Sequence, residues 1–255
     1  MKIAAIYNVW DGMELLYGSM KCLKNEVDIF ILVWQDVSNF GERYNPMDDF
    51  KVPDFGCEVL LVKYEPQHNS GMSNEILKRN LGLHYAKEEG CTHFLHMDCD
   101  EYYEDFGGMK QQFLVSNAKG SVCKIMTYFK KPTLRLEAPD NYYVPFIHEL
   151  KESTFAGAKN YPYYVDPTRK IQQLYVPINE SNVVLMDKPM HHYSWVRKDI
   201  ERKARNSSAK TNIERSQLLQ DYYSDETKAG YYLKDYKQKL VEVDDLFGIK
   251  DYLSS

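Results

Sequence analysis

Apolar positions in the first hundred residues alternate between two periods. Lys2 to Tyr7 is a short apolar run of strand length. Asp11 then stands where a helix can be capped, with Glu14 three positions on in a capping-box arrangement. Met13, Leu16, Met20 and Leu23 follow at helical spacing and give that helix one buried stripe. Val27 to Trp34 is nearly unbroken apolar and β-branched, which suits a parallel strand covered on both faces. Glu58 to Tyr64 is a third strand. Ser73 caps a second helix, with a stripe at Leu77, Leu81 and Tyr85 and a stop at Gly90. Thr92 to Met97 is a fourth strand, running directly into Asp98-Cys99-Asp100-Glu101. Repeated strand–helix–strand units predict an α/β fold with a mostly parallel sheet flanked by helices. Ligands of such sheets bind beyond the carboxyl ends of the strands, where the acidic cluster falls.

From about Gly120 the pattern changes. Ser121 to Phe129, Thr133 to Leu136 and Asn182 to Leu185 read as strands. The Tyr- and Pro-rich stretch from Tyr142 through Pro177 reads as long ordered loops, and the polar chain after Trp195 as helical. The division expected is a catalytic domain over 1–195 and a C-terminal helical extension over 196–255, packed on the same domain. No repeat or low-complexity linker interrupts it. With 255 residues the chain is long enough to bury a core without a disulfide or metal staple. Its net charge of −5 gives no footprint for nucleic-acid binding. The longest purely apolar run, Ile29 to Trp34, is far short of the ~20 residues of a membrane helix. The start turns polar too soon for a signal peptide. Five cysteines without a CxxC pair read as reduced thiols of a cytoplasmic protein.

Asp98 and Asp100 flank one residue at a strand end, a spacing at which two carboxylates can converge on one divalent cation. Their hard oxygen ligands suit Mg²⁺ or Mn²⁺. A metal there offsets the charge of a departing diphosphate. A solvated acidic loop, or carboxylates capping the following helix, fits the same two residues. The surrounding sequence adds to this. Lys78-Arg79-Asn80-Leu81-Gly82-Leu83, then Gly90, then Phe94-Leu95-His96-Met97-Asp98-Cys99-Asp100-Glu101, resembles the signature of GT-A-type, family-2-like glycosyltransferases. Ala5-Ile6-Tyr7-Asn8 resembles that family's first strand, and Trp34-Gln35-Asp36 stands where an acidic base-recognition element usually lies, here without its second aspartate.

The resemblance covers residues 1 to about 110 and implies a GT-A-like, Rossmann-related fold. It further implies Tyr7, Asn8 and Asp36 around a nucleotide base, Arg79 near the nucleotide, Asp98 on ribose or metal and Asp100 on the metal. The implied donor is a nucleotide-sugar, a UDP-sugar first, and the acceptor a glycan or lipid-linked glycan. Met190-His191-His192-Tyr193-Ser194-Trp195-Val196-Arg197 resembles the downstream element from which such enzymes take a further metal ligand. In an extended segment His192 and Ser194 share a face, so only one histidine reaches the metal, and His192 is the choice. Arg197 suits phosphate oxygens through its fork geometry, or pairs with Asp199 or Glu201.

An inverting transferase needs a base for the acceptor hydroxyl. Asp140, Glu149, Asp166 and Asp187 are available, with Glu149 favoured for the apolar flank of Val144-Pro145-Phe146-Ile147. The sequence leaves inversion or retention open. Tyrosines 142, 143, 161, 163 and 164 suit sugar stacking or simple packing. The basic stretch Arg197, Lys198, Arg202, Lys203, Arg205 and Lys210 suits anionic lipid-linked acceptors at the inner face of a membrane, or a solvated helix face. Two rival functions fit part of the pattern. One is a metal-dependent phosphohydrolase or nucleotidyltransferase built on His96-x-Asp98-x-Asp100 and His191-His192. The other is a non-catalytic carbohydrate-binding module.

Overall fold

In the computed structural model, residues 1–48, 50–67, 70–174, 178–207 and 212–254 are described; Pro177 and Lys210 of the stretches above lie outside them. The chain opens as β1 (Ile3–Val9), α1 (Met13–Leu23), β2 (Ile29–Trp34), β3 (Glu58–Lys63), α2 (Gly71–Glu88) and β4 (His93–Asp98). Strands β3-β2-β1-β4 lie side by side, all parallel. The α/β class expected from the sequence is therefore the observed one. Sequence order reverses between β1 and β4, because α2 carries the chain back across β1. That reversal opens a crevice at the carboxyl ends of these two strands, where Asn8 stands opposite Asp98.

Capping at both helices departs from expectation. The residue preceding α1 is Gly12, in the left-handed region with φ 82°, and no side chain caps the helix. Asp11 accepts from Arg202 instead. Helix α2 is capped by Ser70, whose side chain accepts from the Ser73 backbone N–H. Its buried face is turned from the predicted stripe: Lys78, Arg79, Gly82, Leu83 and Ala86 face inward, while Leu77 is exposed. The reason is partly steric. A Cβ on Gly82 would lie 2.2 Å from Ile6 Cγ2, so only glycine lets the helix lie this close to the sheet. The same inward turn brings Lys78 to Val9 O and Gln35 Oε1, and Arg79 to Asp98.

The second half completes the sheet with both antiparallel and parallel pairings. After β5 (Glu101–Tyr102) and the unforeseen α3 (Phe106–Ser116) come β6 (Gly120–Phe129), β7 (Leu134–Leu136) and β8 (Tyr143–Glu149). The supposed loop after Tyr142 thus begins as a central strand, β8, hydrogen-bonded to both β4 and β6. Pro145 sits opposite Val122, beside an irregularity in the β6–β8 register, which lets a residue without an N–H occupy a central strand. There follow β9 (Thr154–Ala156), β10 (Ile171–Gln173), β11 (Val183–Leu185) and β12 (Met190–Trp195). The C-terminal segment contains α4 (Ile200–Arg205), α5 (Asn212–Tyr223), β13 (Tyr232–Leu233), β14 (Gln238–Glu242) and α6 (Ile249–Ser254). It is not purely helical: β14 extends the main sheet by pairing with β7.

The largest apolar cluster gathers side chains of β1, β2, β4, α1 and α3 with Ile125, Phe146 and Met190. Its burial is the main stabilising term. The five cysteines are unpaired. Among the described residues no helix is long and apolar enough to cross a membrane.

A buried histidine should make this fold acid-sensitive. His148 is fully buried and its Nε2 lies 2.7 Å from the Tyr161 hydroxyl. Burial lowers its pKa to about 4. Between about pH 4 and 6.5 the unfolded chain binds a proton at this position that the folded chain does not, so stability falls as pH drops through that window. The loss approaches about 3 kcal/mol at its acid end, taking roughly 1.4 kcal/mol per pH unit. A His148→Phe variant should show a correspondingly flatter thermal midpoint between pH 7 and 4.

Candidate functional site

The end of β4 is a tight acidic turn. Asp98 closes the strand, Cys99 and Asp100 turn the chain, and Glu101 enters β5. Strand β5 pairs with β12, setting Glu101 opposite His192 and drawing the segment after Trp195 over the turn. Two cavities meet there. The larger, about 270 Å³, is lined by Asp98, Thr127, Asp140, Tyr142, Arg169 and His192 among others. The smaller, about 140 Å³, is lined by Asn8, Trp10, Gln35, Lys78, Asp100 and Arg197 among others. Glu75, Asp98 and Lys203 border both.

The two aspartates have different surroundings. Asp98, with a side chain 35% exposed, accepts from Arg169 Nη2 at 2.7 Å and Arg79 Nη2 at 3.4 Å. Burial would raise its pKa, but Arg169 and Arg79 outweigh that and hold it well below the usual carboxylate range. Glu101 lies behind it, bound by both terminal nitrogens of Arg169 at 2.5 and 3.1 Å, and its Oε2 accepts from the Asp98 backbone N–H. Burial dominates at Glu101 and raises its pKa.

Asp100 is 1% exposed and accepts from Arg197 Nη2. Lys203 Nζ lies 3.6 Å from the same oxygen, Oδ2, while His192 Nε2 lies 3.7 Å from Oδ1. Burial opposes ionisation of Asp100, yet Arg197 and Lys203 bring its pKa down to about 2. Burial lowers the pKa of His192 to about 4 despite Asp100, keeping the imidazole neutral and able to ligate. Lys78 is buried too, its pKa lowered by burial to about 8, and donates to Val9 O at 3.1 Å and Gln35 Oε1 at 3.3 Å.

Several buried polar atoms around the smaller cavity have no hydrogen-bond partner: both side-chain heteroatoms of Asn8, Trp10 Nε1, and Arg197 Nε and Nη1. Such groups are costly to leave unsatisfied. Gly12 makes room for the last of them, since a Cβ there would stand 1.4 Å from Arg197 Nη1. A Gly12→Ala variant should therefore lose about 1–2 kcal/mol of stability from the left-handed backbone alone. It should also displace Arg197 from Asp100. Thermal melting reads the combined loss.

The structure brings Asn8, Asp98, Asp100, His192 and Arg197 to this one crevice and leaves three predicted residues outside it. Tyr7 is a core residue, its hydroxyl 2.8 Å from Ser19 Oγ, because odd positions of β1 point under the sheet. Asp36 pairs with Lys63 at 3.1 Å on the surface and lines none of the cavities described here. Glu149 lies opposite His93, at the amino-terminal end of β4, paired with Lys151. The length of β4 therefore separates its register from Asp98, and Asp140 lines the larger cavity in its place. Arg79 backs Asp98 from beneath, and also bonds Glu75 and Thr168. His191 faces away, 2.9 Å from the Tyr128 hydroxyl. His96 is buried with neither ring nitrogen bonded and lines neither cavity, so His96-x-Asp98-x-Asp100 does not form a cluster.

Sequence reasoning missed Arg169, Lys203 as a site residue, and Trp10. Arg169 carried a faint signal, since Asp166-Pro167-Thr168-Arg169 has the cap and first-position proline of a helical turn. The basic stretch after Trp195 turns inward: Arg197 and Lys203 face Asp100, Arg202 pairs with Asp11, and Arg205 with Glu42.

Among the described residues no three His, Cys, Asp or Glu side chains are gathered closely enough to hold a metal by themselves. Asp100 Oδ1 and neutral His192 Nε2, however, already face one another, whereas the Asp98 oxygens are engaged by arginines. That pair would hold a Mn²⁺ or Mg²⁺ ion, the remaining ligands coming from outside the protein.

No protein-family model matches the chain, and no curated protein is significantly similar to it. Among solved structures, residues 1–349 of S. aureus TarS in complex with UDP align at TM-score 0.41 and 13% identity, over 87% of this chain and 70% of that one. The same fragment without UDP gives 0.38 and 14%, over 92% and 75%. A mannose-1-phosphate geranyltransferase from Thermus thermophilus gives 0.29 and 16%, over 60% of this chain and 51% of that one, about half its length. Likeness at this level leaves the meaning of the site to its own geometry.

Proposed function

We propose that the protein is a glycosyltransferase that moves a sugar from a nucleotide-diphosphate donor to a glycan acceptor, with the donor in the crevice between β1 and β4. The observation that carries this reading is the set of buried, unpartnered groups on Asn8, Trp10 and Arg197, gathered beside Asp98 and Asp100 at the point where strand order reverses. Base and ribose bring the donors and acceptors those groups lack, and the diphosphate meets Arg197 and Lys203. The 140 Å³ of the smaller cavity favours a pyrimidine over a purine, hence a UDP-sugar.

In this reading Asp98, fixed by Arg169 and Arg79, orients the ribose. Asp100 and His192 would hold Mn²⁺ or Mg²⁺, which would supply charge neutralisation for the departing diphosphate. Arg197 and Lys203 stabilise the same developing charge and cost no reorganisation, because Asp100 already positions them. The sugar and the acceptor hydroxyl occupy the larger cavity. There Asp140, held by Thr127 Oγ1 at 2.5 Å, is the carboxylate placed to take the acceptor proton. A screen of UDP-, GDP- and CMP-sugars for nucleotide release tests the reading. Release from one donor class is expected, with loss of that release in Lys203→Ala. A protein that engages none of these donors is not a transferase of this kind.

A further inference from the structure

A third cavity, of about 610 Å³, opens beside the larger one of the crevice. Glu75, Tyr142, Asp166 and Tyr236 line both, so a ligand can pass from one into the other. Its outer wall is aromatic and exposed: Tyr164 is 71% and Phe40 51% accessible, and Met72 lies alongside. Tyr164 is anchored through its backbone. Its carbonyl accepts from the Tyr143 N–H at 2.8 Å, and its ring meets Tyr142 edge-on at 6.4 Å.

The chemistry of the lining selects a class of ligand. Among the described residues no lysine, arginine or histidine faces this cavity, which disfavours phosphate or an anionic headgroup. Of its two carboxylates, Glu75 is met by Arg79 at 2.7 Å and Asp166 accepts from Thr168 N–H at 2.7 Å and Thr168 Oγ1 at 2.6 Å. What remains is aromatic faces edged with oxygen acceptors from Glu75, Asp166 and Asn141. That combination suits a neutral, hydroxyl-rich molecule whose C–H faces stack on the rings while its hydroxyls donate to the acceptors.

We propose that this cavity is a subsite for the sugar residues of an oligosaccharide acceptor that lie beyond the one receiving the transferred sugar, with Tyr164 as its stacking platform. The proposal rests on the transferase reading for the word acceptor, but its test does not. Wild-type protein and Tyr164→Ala are applied to an array of neutral oligosaccharides, and the affinity of each for UDP with Mn²⁺ is measured in parallel. Tyr164 is exposed, so its truncation leaves the fold intact. Binding of a set of oligosaccharides by the wild type, weakened at least tenfold in Tyr164→Ala at unchanged UDP affinity, is the expected result. Equal binding by both proteins, or no oligosaccharide bound by a wild type that binds UDP, overturns the subsite. Loss of glycan binding in Tyr164→Ala from a protein that binds no nucleotide keeps the subsite and overturns the transferase.

Discussion

Arg169→Met should destabilise the protein by about 3–5 kcal/mol, the cost of breaking a buried ion pair from one side. For a chain of this size that is a fall in melting midpoint of roughly 10 °C. The buried guanidinium holds Asp98 at 2.7 Å and Glu101 at 2.5 and 3.1 Å, and also reaches His96 O at 3.4 Å. Methionine fills similar space and leaves Glu101 buried without a counter-charge. Glu101 then escapes the penalty by taking a proton, and its folded pKa rises further above its unfolded value. A raised folded pKa means stability that is lost as pH rises through it. The deficit should therefore be larger at pH 8 than at pH 5, and Arg169→Met/Glu101→Gln should recover part of it. Thermal melts of the three proteins at both pH values decide the matter. A deficit independent of pH would mean that Arg169 acts through packing alone.

Asp100→Asn should separate the site's two kinds of charge. In Mn²⁺ the wild type should bind UDP on the order of 100-fold more tightly than the variant, a difference of about 2.7 kcal/mol, because asparagine is a far poorer ligand than a carboxylate beside His192. Without metal the order should vanish or reverse. Removing one negative charge leaves Arg197 and Lys203 freer to face an anionic diphosphate. The variant should also melt earlier, since Asp100 is buried and partners Arg197. Parallel loss of affinity with and without Mn²⁺ would instead make Asp100 a positioning residue for Arg197.

The parallel half of the sheet was legible because β1, β2 and β4 are short apolar runs interrupted by helical spacing, and the acidic turn stands at the end of one of them. The second half, of mixed pairing, was not. Proline inside β8 argues against a central strand, and only the register irregularity opposite Val122 reconciles the two. Hydrophobic periodicity also failed on α2, where the buried face carries Lys78 and Arg79, bonded to Gln35 and Asp98, in place of an apolar stripe. In the site, residues adjacent in sequence could be read together: Asp98 with Asp100, and His192 with Arg197. Arg169 could not, because about 70 residues of chain lie between it and the carboxylates it binds. Glu149 was misplaced for a related reason. Its apolar neighbours do seat it in the sheet, but the antiparallel direction of β8 carries it to the end away from Asp98.

The central claim is that the β1–β4 crevice holds a nucleotide diphosphate against Asp100 and His192 with a divalent cation. Calorimetric titration of the protein with UDP, GDP and CMP, each with and without Mn²⁺, tests it most directly. Micromolar binding of UDP in the presence of Mn²⁺, much weakened in its absence, is the predicted result. No binding of any of the three under either condition would contradict it and reduce the Asp98–Asp100 turn to a structural ion-pair network.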